Sequence, residues 1–261
     1  MTDLFPLCAA SLLAGLMDAI VGGGGLILLP AMFALFPTAD AANLLGTNKC
    51  AGAFGTGAAA LRYARRVELN YRLLAPAALM AVFGALLGAR AALLIDAMML
   101  RRALPVMLVL VLAYTLVRKD LGHVAKPALP ARRELAVACA IGFVMGAYDG
   151  LFGPGAGALF LFLLVRFLGY DFLRASAAAK ILNLGGNLGA LALFAASGRV
   201  WWHLGVPMLI ANVAGSLLGT TIALRLGTRF VRLAFILIVG ALILRTAYDA
   251  YLAPGLQAAS P

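Results

Sequence analysis

The chain has 261 residues, of which 64% are hydrophobic and only 12% are charged. Water-soluble domains are closer to half apolar and a quarter charged, so this composition excludes a soluble fold and requires the bilayer as solvent. The net charge of +11 comes from basic residues in short separate loops, which favours membrane topology and anionic lipid over nucleic acid as its explanation. We therefore expect an all-α polytopic membrane protein that contacts lipid and binds no nucleic acid.

Eight apolar stretches follow one another along the chain, four in each half. They are residues 4–36, 41–61, 73–95 and 103–117, then 135–168, 173–198, 204–224 and 233–252. The first stretch of each half is too long for one membrane crossing and is interrupted, at Gly22–Gly25 and at Gly153–Gly155. Runs of glycine and proline do not sustain a helix, so we expect a break in both first segments.

An internal repeat relates the two halves. A shift of 131 residues aligns scarce residue types without a gap, which is stronger evidence than matches among leucines. The aligned pairs include Cys8 with Cys139, Asp18 with Asp149, Asp40 with Asp171, Lys49 with Lys180, and Arg101 with Arg232. We interpret residues 1–117 and 134–253 as two homologous membrane repeats. Residues 118–133 are then a polar cytoplasmic linker, and residues 254–261 a short tail.

The distribution of lysine and arginine favours inverted repeats. If each broken stretch crosses the membrane once, the repeats are parallel, with 11 basic residues inside and 8 outside. If each broken stretch turns back, the second repeat is inverted, with 14 inside and 5 outside. The positive-inside rule selects the second arrangement. A crossing by the broken stretch of only one half is the remaining alternative.

The candidate binding residues are polar or conformationally free groups inside apolar stretches. Unwound glycine segments expose backbone N–H groups, and free amides at helix N-termini bind anions. Lys49 and Lys180 lie about eight residues inside their stretches, too deep to reach the interface, where a charge costs at least about 2.5 kcal/mol. The predicted substrate-binding residues are Gly22, Gly23, Gly24, Thr47, Asn48, Lys49, Gly153, Pro154, Gly155, Lys180, Asn183 and Asn187.

Asp18 and Asp149 each precede a glycine break by four residues. A carboxylate inside the membrane is a functional hypothesis by default, so coupling is one interpretation of this pair. A structural role, as partners of the two lysines or caps for unwound amides, is the alternative. Because no nucleotide loop, metal-ligand spacing or reacting pair of side chains is readable, we expect no cofactor, no metal and no enzyme activity.

These motifs resemble the TauE/SafE sulfite exporter family. The runs AGLMDAIVGGGGLILLP and LGTNK are similar to its N-terminal signature, and GAYDGLFGPGAG and AAAKILNLGGN to its C-terminal one. The resemblance spans nearly the whole chain. It implies a multi-pass transporter of the bacterial cell (inner) membrane that exports a small anion, sulfite or a related organosulfonate.

Several questions about function stay open at the level of sequence. The absence of an ATP site favours a secondary transporter driven by an ion gradient or the membrane potential. The rival interpretations are a passive anion channel, a transporter of a different small anion, and an assembly subunit whose lysines only pair internally. Whether the chain forms a homo-oligomer is likewise open.

Overall fold

The computed structural model describes residues 4–95 and 130–251 of the chain. Throughout these two ranges the regular elements are helices, as the sequence predicts. They are α1 (Leu4–Val21), α2 (Gly25–Leu35), α3 (Ala41–Ala64), α4 (Tyr71–Leu94), α5 (Ala131–Leu151), α6 (Ala156–Leu168), α7 (Phe172–Ala196) and α8 (Trp202–Tyr251). Helix α8 is interrupted at Gly227, where φ is 70° and ψ is −164°.

Five helices within the described ranges are long and apolar enough to cross a membrane. They are α1, α4, α5, α7 and the part of α8 that ends at Gly227. Helices α2 and α6 have only 11 and 13 residues, too few to cross a hydrocarbon core of about 30 Å. The predicted stretch 103–117, most of the linker and the tail lie outside the described residues. The last three linker residues, 131–133, already belong to α5.

Matching aspartates begin α3 and α7. Asp40 accepts a hydrogen bond from the amide of Ala42 at 3.0 Å. Asp171, its equivalent in the repeat, accepts from the amides of Leu173 and Arg174 at 2.9 and 3.0 Å. A side-chain oxygen at this position satisfies amides that have no partner inside the helix, which fixes where each helix starts.

The two halves pack against each other through reciprocal contacts. Gly84 on α4 leaves no space for a Cβ atom beside the carbonyl of Phe143 on α5, and Gly215 on α8 leaves none beside the carbonyl of Leu12 on α1. The two contacts are equivalent in the repeat, because Gly84 corresponds to Gly215 and Phe143 corresponds to Leu12. Small residues of this kind let helix backbones approach closely. In these contacts the two halves are thus related by a pseudo-two-fold axis.

Helices α1 and α3 both run parallel to α8. Residue numbers rise together in the contact pairs, which are Ser11–Met208 and Leu16–Gly219 for α1, and Cys50–Gly205 and Gly55–Asn212 for α3. Because α1 and α3 run in the same direction, α2 carries the chain back between them. The first broken segment is therefore a hairpin that turns at its glycines.

Helices α5 and α7 run parallel to α4. The contact pairs are Ala77–Gly142 and Ala85–Gly150 for α5, and Ala78–Gly185 and Val82–Gly189 for α7. Between α3 and α7 the order reverses, from Gly46–Phe194 to Gly57–Leu184. The set α1, α3 and α8 therefore runs opposite to the set α4, α5 and α7, and α6 turns the chain back as α2 does.

Candidate functional site

The two glycine breaks contact each other between the halves. Residues 22–24 and 152–155 are non-helical, while Gly25, which the sequence assigned to the break, already opens α2. The amide of Ala158 donates to the carbonyl oxygen of Gly22 at 3.0 Å. A Cβ atom on Gly22 would collide with the backbone of Gly157, and one on Gly157 would lie 2.7 Å from the Cα atom of Gly22. Such close backbone approach requires glycine, which explains the composition of the breaks.

Free backbone donors lie at the turn of the first hairpin. Gly22 has a φ of 84°, which only glycine adopts readily. Within the described part of the chain, no protein acceptor is hydrogen-bonded to the amides of Gly23 and Gly24. These amides precede the N-terminus of α2, where the helix dipole also favours negative charge. The turn can therefore bind an anion.

Two buried ion pairs join the halves. Lys49 Nζ lies 2.6 Å from Asp149 Oδ1, with side-chain exposures of 2% and 3%. Lys180 Nζ lies 3.1 Å from Asp18 Oδ2, with exposures of 1% and 13%. Each lysine thus pairs with the aspartate of the other repeat, and the four charges sum to zero. Pairing offsets a desolvation cost that neither charge could bear alone.

The pair of Lys180 and Asp18 has further hydrogen bonds. Lys180 also donates to the backbone carbonyl of Asp18 near the end of α1. Thr56 Oγ1 donates to Asp18 Oδ2 at 3.0 Å. This lysine therefore holds both the carboxylate and the helix end.

The pair of Lys49 and Asp149 is less complete. Lys49 Nζ also donates to Asn187 Oδ1 at 3.1 Å. Asp149 Oδ2 is buried and, among the described residues, has no hydrogen-bond partner, and the same holds for Asn183 Oδ1. Buried polar atoms are rarely left without a partner, so these two oxygens mark a place where a proton, water or ligand can bind.

A cavity of about 30 Å³ lies between the ion pairs and the glycine breaks. That volume accommodates on the order of two water molecules. Its lining includes nine of the residues singled out from the sequence: Asp18, Gly22, Gly24, Asn48, Lys49, Asp149, Gly153, Asn183 and Asn187. The cavity therefore combines an ammonium group, carboxamides, backbone turns and two carboxylates.

Five predicted site residues do not contribute to the lining: Gly23, Thr47, Pro154, Gly155 and Lys180. Thr47 has a packing role, because its hydroxyl donates to the carbonyl of Asn43 at 2.7 Å and accepts from the amide of Trp201 at 3.0 Å. The carbonyl of Pro154 accepts from the hydroxyl of Tyr148 at 2.7 Å, which fixes the shape of the second break.

Seven further residues line the cavity: Ala14, Gly25, Leu28, Gly52, Thr56, Gly157 and Asn212. Thr56 could have been found from the repeat, since it is the equivalent of the predicted Asn187. Asn212 could not, because its equivalent is Ala81. Its polarity inside an apolar stretch was the available signal.

Known proteins related to this chain are membrane transporters by name. The chain is 36% identical to "Probable membrane transporter protein ORF9" of Sinorhizobium sp, over 93% of this chain and 92% of that protein. It is 32% identical to "Probable membrane transporter protein YfcA" of Escherichia coli K12, over 92% of this chain and 88% of that protein. A "Probable membrane transporter protein" of Haemophilus influenzae is 30% identical over 90% of this chain and 91% of its own length.

No solved structure matches the chain significantly. The profile of the family described as "Sulfite exporter TauE/SafE" matches residues 7–246, which is nearly the whole chain. This chain therefore belongs to the sulfite exporter TauE/SafE family of membrane transporters.

Proposed function

We propose that this protein is a secondary transporter that exports a small sulfur-containing anion, sulfite or a related organosulfonate, across the bacterial inner membrane. One observation carries the proposal. The ammonium group of Lys49, with a side-chain exposure of 2%, lines a cavity that also receives the two glycine breaks. A buried cation beside free backbone amides is a site for an anion.

The other polar groups of the cavity suit an oxyanion. Asn48, Asn183 and Asn187 supply carboxamides, each with two N–H donors. Donors from several directions match the oxygen atoms of a compact oxyanion such as sulfite. The small volume of the cavity fits an inorganic oxyanion better than the carbon chain of an organosulfonate.

We also propose that the repeats are inverted across the membrane, with the linker cytoplasmic and the C-terminus outside. The helix directions support this arrangement, because equivalent helices of the two repeats run oppositely. The charge asymmetry supports it independently, with 14 basic residues inside and 5 outside. Inverted repeats around a central site are a common plan of secondary transporters.

Counterflow in proteoliposomes tests the proposed substrate class. Vesicles with the purified protein would be loaded with sulfite, thiosulfate, sulfate or sulfoacetate and given the same anion in labelled form outside. We expect labelled sulfite to accumulate against its gradient in sulfite-loaded vesicles, and Lys49→Met to abolish the accumulation. Arg90→Met is a matched control, because it removes a cation from an exposed position of α4.

The same vesicles separate the rival functions. Conductance without counterflow would identify a passive anion channel. Exchange of sulfate alone would indicate a transporter of a different anion. Failure of all four anions to exchange would overturn the proposal.

A further inference from the structure

The two ion pairs are equivalent in the repeat but differ in what surrounds them. The carboxylate of Asp18 receives hydrogen bonds from Lys180 and Thr56. At the equivalent of Thr56 stands Asn187, whose carboxamide oxygen accepts from Lys49 and gives Asp149 no donor. Asp149 Oδ2 consequently has no partner among the described residues. Leaving a buried charged acceptor unsatisfied is costly.

The pairs also differ in their access to the cavity. Lys49 and Asp149 both line it, whereas Lys180 does not belong to the lining formed by the described residues. Of these two lysines, an anion in the cavity can therefore reach Lys49 directly and not Lys180. That ammonium already lies 2.6 Å from the carboxylate of Asp149.

The charges make the anion and this carboxylate competitors. Without ligand the two pairs are neutral, so a dianion brings two uncompensated negative charges into a buried site. It would also lie beside Asp149, and like charges at close range in a poorly screened site repel strongly. A proton on Asp149 removes one negative charge and frees Lys49.

On this basis, and resting on the proposed function, we infer that the protein takes up one proton on Asp149 for each dianion that it binds. The Lys49–Asp149 pair opens: the carboxylate becomes a carboxylic acid, and the ammonium of Lys49 turns to the anion. Net charge balances. Before binding, the neutral ion pair, the dianion and the proton sum to −1, and afterwards the neutral acid of Asp149, the ammonium of Lys49 and the dianion also sum to −1. The Lys180–Asp18 pair stays closed and holds the end of α1.

The neighbours of Asp149 agree with this assignment. The groups that act electrostatically on its carboxylate are Lys49 of α3 and Asp18 of α1. Lys180 on α7 is bound to Asp18, and the hydroxyl of Tyr148, on the same helix as Asp149, is bound to a backbone carbonyl. Among the described residues, α4 and α6 add no charged group to it. Once Lys49 turns to the anion, a buried carboxylate without its countercharge would be costly, and a proton on Asp149 removes that charge.

Calorimetry tests the inference directly. Sulfite at alkaline pH, where it is the dianion, thiosulfate and sulfate would be titrated into purified protein in buffers of different ionisation enthalpy. The slope of heat against ionisation enthalpy counts the protons taken up. We expect one proton per anion for the wild type and for Glu68→Gln, which removes an exposed carboxylate, and none for Asp149→Asn. Affinity of the wild type should fall about tenfold per pH unit as pH rises, once the carboxyl is ionised.

The outcomes distinguish this inference from the proposed function. Binding or counterflow with no proton taken up, or one proton still taken up by Asp149→Asn, would overturn the inference alone. Absence of both binding and counterflow for every anion would overturn the proposed function, and the inference with it.

A second variant covers the case in which Asp149→Asn does not fold. A Cβ atom on Gly186 would lie 2.8 Å from Asp149 Oδ2, too close for that oxygen to keep its position, so Gly186→Ser shifts the carboxylate and brings a hydroxyl beside it. The hydroxyl donor stabilises the carboxylate, so we expect weaker anion binding and a pH profile displaced to lower pH. Gly186→Ala is the control, because it adds the same Cβ atom without the hydroxyl. Identical pH profiles for the serine and alanine variants would contradict the inference.

Discussion

Thr56 and Asn187, which occupy the same position in the two repeats, contact each other between the halves, with Asn187 Nδ2 3.5 Å from Thr56 Oγ1. Asn187 also accepts from Lys49, and Thr56 donates to Asp18. A chain of hydrogen bonds therefore links the two ion pairs, in the order Lys49, Asn187, Thr56, Asp18. Because a hydroxyl stands on one side and a carboxamide on the other, the pseudo-two-fold axis relates chemically different sites.

Replacing Thr56 with valine should destabilise the protein. The change keeps the shape but removes the donor to Asp18 and the acceptor for Asn187. We expect a loss of roughly 1–3 kcal/mol in the free energy of unfolding, because both partners are buried. Thermal unfolding of the purified protein in detergent measures the effect. The control is Thr221→Val at a half-buried position, where the hydroxyl donates to the carbonyl of Leu217 in its own helix. Equal melting temperatures for the two variants would contradict the prediction.

Lys180→Met should be among the most destabilising single changes in the protein. It leaves the carboxylate of Asp18 buried without a countercharge, which costs roughly 3–5 kcal/mol. Adding Asp18→Asn removes the orphaned charge, so the double variant should recover most of the loss. Melting temperatures of the wild type, the two single variants and the double variant form a double-mutant cycle that measures the coupling of the two side chains. Additive losses would show that the two side chains do not act as a pair.

Gly24→Ala should stop transport while the protein still reaches the membrane. The new Cβ atom would lie 2.7 Å from the carbonyl oxygen of Ala14 and 2.8 Å from the Cβ atom of Asp18. The hairpin of α1 and α2 would have to open, which displaces Asp18 from the site. Gly57→Ala has ordinary contacts and serves as the control. Counterflow normalised to protein in the membrane is the measurement, and equal rates for the two variants would refute the prediction.

Much of this architecture could be predicted from sequence, since its signals are local or repeated. The helix breaks were predicted from consecutive glycines, and the internal repeat was predicted from scarce residue types that recur at a spacing of 131 residues. The chain also placed Lys49 and Asp149 in apolar surroundings, where charges must find partners. The choice of partner could not be read, because it depends on how the two halves pack across their axis.

The differences between the repeats were the least predictable part of the site. A repeat suggests that Lys49 and Lys180 are alike, and their joint role in binding an anion stays a prediction. The structure gives them unlike surroundings, since Lys180 is bound to the end of α1 while Lys49 faces the cavity. Single substitutions within an otherwise matched pair, such as threonine for asparagine, decide such details and leave no periodic signal.

Reporter fusions should confirm opposite orientations of the two repeats. A reporter that is active only in the cytoplasm should be active when inserted in the linker at residue 125 and inactive when fused to the C-terminus. The physical reason is the turn of the chain at each glycine break. If each of the other three predicted stretches of a repeat crosses once, each repeat has an odd number of crossings. Cytoplasmic activity at both sites would restore the parallel arrangement.

Asn183→Asp should impair anion binding more than any neutral change at the same position. Asn183 lines the cavity, is 4% exposed, and its Oδ1 has no partner among the described residues. A carboxylate there would repel a bound anion by roughly 4 kcal/mol per pair of unit charges at 4 Å and an effective dielectric constant of 20. We therefore expect an affinity loss of a hundredfold or more, whereas Asn183→Leu loses only hydrogen bonds, about 0.5–1.5 kcal/mol each.

Asn43→Asp makes the same chemical change at another asparagine whose Oδ1 is buried and unpartnered within the described chain, but outside the cavity lining. It lies in the first turn of α3, where the helix dipole favours a negative charge. Calorimetric titration with sulfite should therefore give near wild-type affinity for this variant and a large loss for Asn183→Asp. Equal losses in the two aspartate variants would mean that the added charge acts through folding, and that Asn183 does not face the bound anion.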